Sequence, residues 1–142
     1  LTAVKGYGTE YLEYWCHNIN SADETELNII IDKLEVYGLN AFIIGGGYDS
    51  VMVYFRPMSL PKYINGDANI CPDINKICAM IDDIEAEVLV QNIVKESIGE
   101  SEMNAYLIQI KKSDNTCSED WKRIEIKIFD NEGNVGMAKL IR

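Results

Sequence analysis

A chain of 142 residues, 47% hydrophobic and 25% charged, is long enough to bury a core and too apolar to stay wholly disordered. No apolar run approaches the ~18 residues of a membrane-spanning helix, and the first five residues lack the apolar stretch of a signal peptide. The net charge is −10, with 17 acidic against 6 basic residues over positions 1–105 and 6 against 7 over 106–142, so the acidity belongs to the first three quarters. Such a surface repels nucleic acid and anionic membrane and steers basic partners into contact.

Residues 1–8, with Gly6 and Gly8, read as a loose lead-in. Positions 10–19 carry Tyr11, Tyr14, Trp15 and Ile19, a content suited to a strand, although Leu12, Trp15, Cys16 and Ile19 also fit helical spacing. The Asn18-Ile19-Asn20 exit favours the strand. Ser21 and Glu24 then form a capping box. Leu27, Ile30, Ile31 and Leu34 follow at i, i+3, i+4 and i+7, which predicts a first amphipathic helix ending at Gly38.

Two β-rich runs, 41–44 and 51–55, flank Gly45-Gly46-Gly47-Tyr48-Asp49-Ser50. The prolines at 57 and 61 predict a break in regular structure that continues to Cys71. Pro72 suits the start of a second helix, whose apolar stripe is Ile74, Ile77, Cys78, Ile81, Ile84 and Val88. Val88-Leu89-Val90 also suits the start of a strand, but Lys95 and Gly99 resemble a helix C-terminus, so this helix is extended to about Ser97. The last third is β: 106–111 is apolar on both faces, and Ile124, Ile126 and Ile128 alternate with charged residues. Residues 130–134 make a hairpin loop into a closing strand over 135–141. The expectation is a single α+β domain over 1–142, with a mostly antiparallel sheet of about six strands and both helices packed on one face. Residues 9–56 and 72–142 would form two topologically similar halves.

The triple glycine lacks a following helix and a nearby Lys, so a turn explains it better than a phosphate cradle. Gly45, Gly46, Gly47, Tyr48 and Asp49 remain the recognition loop of an alternative reading, in which a small ligand approaches the backbone. Cys71 and Cys78 are seven apart and Cys16 adjoins His17, spacings that suit neither zinc nor a disulfide framework. Free thiols in a cytoplasmic protein, with no metal and no cofactor, are expected. His17 is the lone histidine, so any Cys–His chemistry runs through it.

Aromatic rings and carboxylates share the first half, the composition of a protein-binding patch. The function expected is therefore a small, acidic, non-catalytic interaction protein that docks on a basic protein surface. In its sharper form it mimics nucleic-acid charge and inhibits a nucleic-acid-acting enzyme, as anti-restriction and anti-CRISPR proteins do. The expected contact residues are Glu10, Glu13, Asp23, Glu24, Asp32, Glu35, Asp82, Asp83, Glu85 and Glu87. A small-ligand sensor domain is the alternative, and an enzyme using dispersed carboxylates the third. Direct nucleic-acid or membrane binding is not expected.

Overall fold

The computed structural model describes residues 5–20 and 26–142. The Ser21–Glu24 capping box, with Asp23 and Glu24, lies outside the described residues. The elements run β1 (Trp15–His17), β2 (Leu34–Phe42), β3 (Val51–Ser59), α1 (Leu60–Asn65), β4 (Ile74–Ile81), β5 (Ile84–Ser97), β6 (Glu102–Lys112), β7 (Arg123–Asp130) and β8 (Val135–Ile141). All eight strands join one sheet in the order β1-β8-β7-β4-β5-β6-β3-β2, antiparallel except for the β1–β8 pair. The sheet curls until its two ends approach, giving a nearly closed eight-stranded barrel.

Period-two alternation drives the curl, because each strand offers one apolar face to a shared interior. Val51, Val53 and Phe55 of β3, Ile108 and Ile110 of β6, and Ile124, Ile126 and Ile128 of β7 are all fully buried. Phe55 stacks on Tyr106, its cross-strand neighbour, with centroids 5.6 Å apart. Leu34 and Val36 bring β2 into the same core, which leaves Glu35 between them on the outer face. At the closing seam, Gly136 of β8 lies directly on β2: a Cβ there would sit 2.9 Å from the Leu34 Cβ and 3.0 Å from the Glu35 nitrogen. Asp32 Oδ2 accepts the Val135 N–H at 2.9 Å, tying the approach to β2 onto the first residue of β8.

The barrel corrects the expected α+β architecture and its two amphipathic helices. Residues 26–33 are not helical, and Ile30 of the supposed stripe is 40% exposed. Leu34 instead begins β2, where pairing with β3 satisfies the backbone. Gly38 takes φ 64° not as a helix cap but at an irregularity, where the β2–β3 register shifts between Tyr37 and Asn40. The second expected helix is the β4–β5 hairpin. Asp82 and Asp83, read as part of a solvated helical face, are its two-residue turn at φ 53° and 65°. Both angles belong to the left-handed region that aspartate tolerates and a mirror-image turn requires. Ile74, Ile77, Ile81, Ile84 and Val88 therefore divide between two strands, and their helical spacing is a coincidence of two period-two patterns meeting across a turn.

Pro57 does not end β3. The β3–β6 pairing stops at Phe55–Tyr106, so the proline stands where β3 has only β2 beside it and a lost donor is tolerated. Among the described residues the one helix is the six-residue α1, which starts with Pro61 in its first turn and ends on left-handed Gly66. The strand expected over 41–44 instead spans Leu34–Phe42 and leaves Ile43 and Ile44 outside it, the one expected over 51–55 extends to Ser59, and the strand expected over 10–19 is confined to Trp15–His17.

Gly136→Ala tests the closure, since the atoms it would meet include β2 backbone that cannot rotate away. The expected cost is about 1–3 kcal/mol in urea unfolding, the range for overpacking. An unchanged midpoint would mean that the two ends of the sheet are not in this contact.

Candidate functional site

One groove combines apolar walls, aromatic rims and a buried charge. It forms where the N-terminal segment crosses the β2–β3 edge beside α1. Gly6 and Gly8, both at positive φ, allow a tight loop in which the Gly6 carbonyl accepts the N–H groups of Thr9, Glu10 and Tyr11. That loop places Tyr7. The Leu12 N–H donates to the Asp32 carbonyl at 2.8 Å, docking the segment against the entry to β2. On the other side, the Leu60 N–H donates to the Lys33 carbonyl and the Ser59 N–H to the Ile70 carbonyl, both at 2.9 Å, which seats α1 and its Tyr63. Between them lies a cavity of about 360 Å³ lined by Tyr7, Gly8, Leu12, Glu35, Met58, Ser59, Tyr63 and Ile70.

Glu35 is the unusual member. It sits opposite Met58 on the outer face of the β2–β3 pair and is only 2% exposed, because the N-terminal segment and Trp15 cover it. Trp15 Nε1 donates to its Oε1 at 2.6 Å, whereas Oε2 has no hydrogen-bond partner among the described residues. Burial pushes its pKa up; the Trp15 indole and the Glu13 main-chain N–H pull the other way and are outweighed, and the Glu13 carboxylate adds to the rise. Tyr7 is likewise raised, first by burial and then by the charges of Glu13 and Glu35.

Beyond Trp15 an aromatic and charged strip continues across the barrel's outer face. The indole stacks on His17 with centroids 5.9 Å apart and meets the Tyr37 ring edge-on at 5.5 Å. Arg56 lies over Tyr37 at 5.0 Å and pairs with Glu96 at 3.5 Å, and the Tyr54 hydroxyl also donates to Glu96. Burial and then this carboxylate push the Tyr54 pKa up to about 12. The guanidinium is thus committed to Glu96 and Tyr37, and no described Lys or Arg forms an ion pair with Glu35.

The acids singled out in the sequence do not gather on one face. Asp32 is a backbone acceptor at the seam. Asp82 is structural as well: its Oδ1 accepts the Lys122 and Arg123 N–H groups at 2.8 and 2.9 Å, and its Oδ2 pairs with buried Lys112 at 3.0 Å. Although burial opposes ionisation, these contacts hold its carboxyl below the usual carboxylate range. Asp83 pairs with Arg123. Glu85 and Glu87 are exposed on β5, with Glu87 opposite Lys111. Glu10 is exposed and Glu13 half-buried beside the groove. Of the eight that lie among the described residues, the structure brings together only Glu13 and Glu35 at this site.

The glycine-rich loop is occupied with its own support. Gly46 takes φ 73° in the turn, and the Gly47 N–H donates to the Ile44 carbonyl. The Tyr48 hydroxyl accepts from Lys111 at 3.1 Å, and Asp49 Oδ1 accepts the Ser118 N–H at 2.9 Å. Burial pushes the Cys16 thiol up and Cys71 to about 11, the opposite of an activated nucleophile. No three His, Cys, Asp or Glu side chains converge as a metal-binding group among the described residues.

The sequence reading missed Leu12, Met58 and Ile70 and treated Glu35 as a surface acid. The available signal was local: Glu35 stands between Leu34 and Val36, so an acid interrupts a run of core residues. No family model, no curated protein and no solved structure matches this chain.

With the folded pKa of Glu35 raised above its unfolded value, the native state binds more protons between the two values, and stability falls as pH rises through that window. Glu35→Gln retains an acceptor for Trp15 and cannot ionise. The stability difference should therefore shift in the variant's favour as pH rises from the ordinary glutamate pKa of about 4.3 toward neutrality. Chemical denaturation across that range reads it directly, and a pH-independent difference would contradict a raised Glu35. Trp15→Phe, which strands Oε1 as well, should cost about 1–3 kcal/mol at neutral pH.

Proposed function

We propose that this barrel is a small-ligand-binding domain whose site is the groove between Tyr7 and Tyr63, rather than the glycine-rich loop. The observation that carries the reading is a buried carboxylate oxygen, Glu35 Oε2, without a hydrogen-bond partner among the described residues at a concave surface. Native proteins pair nearly all buried polar atoms, and the exceptions concentrate where function demands them. A cavity of about 360 Å³ has the size of small-molecule sites, which pair apolar walls with a few placed polar groups. Here Leu12, Met58 and Ile70 supply the walls and Glu35 the polar group.

Titration of the isotope-labelled protein with a soluble aromatic fragment library should shift resonances of Tyr7, Leu12, Met58, Tyr63 and Ile70 together. Met58→Trp fills the groove and should abolish those shifts, whereas Ile93→Trp, at a 60% exposed position on β5, should leave them. Shifts scattered over the barrel, or unaffected by Met58→Trp, would remove the groove from consideration.

The net charge of −10 supports a second reading, an acidic protein that docks on a basic site of a nucleic-acid-acting partner. Glu10, Glu85 and Glu87 are the exposed acids it would use. Capture from host lysate should then release the partner steeply with rising salt. Retention that ignores both salt and the triple exchange of these acids for glutamine would sink it.

A further inference from the structure

Resting on the groove reading above, we infer that the ligand is an organic cation: an ammonium group seated against Glu35, carried on a compact apolar body held by Leu12, Met58 and Ile70. Three independent features of the site point to that chemistry. Glu35 is 2% exposed, and the groups that donate to it, the Trp15 indole and the Glu13 main-chain N–H, are neutral, so no Lys or Arg among the described residues compensates its charge. A carboxylate withdrawn from water recovers its lost hydration only through a paired charge or several donors. An ammonium supplies both, because it carries a charge and up to three N–H donors.

The Glu13 carboxylate lies beside the groove and adds a smaller negative contribution, which raises the pKa of both Glu35 and Tyr7. An anion entering there meets repulsion from both carboxylates. A neutral donor would satisfy Oε2 with a hydrogen bond but bring no compensating charge, whereas a cation brings both. The rims add to the preference, because the rings of Tyr7 and Tyr63 line the groove and an aromatic face attracts a cation. Arg56, the cation on the adjoining strip, does not compete, since Glu96 and Tyr37 hold it.

The test uses three probes of one shape and different charge on the full chain: phenethylamine, phenethyl alcohol and hydrocinnamate. Affinities come from chemical-shift titration at neutral pH and low salt. The amine should bind at the groove at least about tenfold tighter than the alcohol, and hydrocinnamate should not shift the groove resonances. Glu35→Gln should bring the amine to within about threefold of the alcohol. Glu13→Gln, which keeps the buried carboxylate, should weaken the amine by a smaller factor of about two to three. This second variant carries the test if Glu35→Gln loses its dispersed spectrum. Equal binding of amine and alcohol, or a preference untouched by both variants, overturns the cation inference while the groove reading stands. Groove shifts from none of the three probes remove both.

Discussion

Everything distinctive about this protein depends on how the two ends of one sheet meet. An eight-stranded sheet of this length must either leave long edges open or curl. Here β8 crosses the start of β2 at Gly136, where no side chain separates the strands, and Asp32 secures the same corner through the Val135 N–H. A side chain there would force β2 to shift. The consequence of the close approach is that Leu34 and Val36 enter the barrel interior and Glu35, between them, emerges on the outside at the seam. Trp15, carried on the short parallel strand beside β8, then reaches across the seam to Glu35 and Tyr37. A packing constraint thereby places a carboxylate where the N-terminal segment covers it.

Burying that carboxylate is costly, and most of its surroundings do not relieve the cost. The indole bond satisfies one oxygen; the other is left in a low-dielectric setting where an unsatisfied acceptor is most expensive. Asp82 shows the contrast within the same chain. It is part-buried too, yet two backbone N–H groups and the Lys112 ammonium converge on it, and its carboxyl is held low rather than raised. One aspartate is a fully satisfied structural staple of the β4–β5 turn. The glutamate at the seam is half satisfied and lines a cavity. That difference, rather than the number of acids, separates structural charge from the charge proposed for function.

The acidity that dominates the sequence is accordingly not one surface. Some acids hold turns and strand ends, some face cross-strand lysines, and Glu13 and Glu35 sit together by the groove. A net charge of −10 still shapes long-range encounters, because fields sum over the whole molecule whatever each group does locally. Short-range recognition depends instead on which charges are desolvated and unpaired, and folding alone decides that.

Several features were legible in the sequence itself. The period-two run at β7, the apolar β6 and the hairpin that returns the chain as β8 follow from local alternation and turn chemistry, and they occur where those patterns place them. The glycine-rich loop is a turn for the reason its glycines suggest. What local pattern could not determine was the state of 26–33 and 72–97. Apolar residues at i, i+3, i+4 and i+7 satisfy a helix, and equally satisfy two strands meeting at Asp82-Asp83 or a loop running into β2. The choice between them was made by neighbours remote in the chain, since β4 gains its ladder from β7 and β2 from β3. The groove was beyond local reading for the same reason. Its lining comes from four separate stretches between Tyr7 and Ile70, and Glu35 is buried only because segments distant in sequence cover it. Sequence alone determined the alternating strands, the turns and the sign of the charge; tertiary structure decided which carboxylate lost its water, because desolvation depends on what packs against a group and not on its neighbours along the chain.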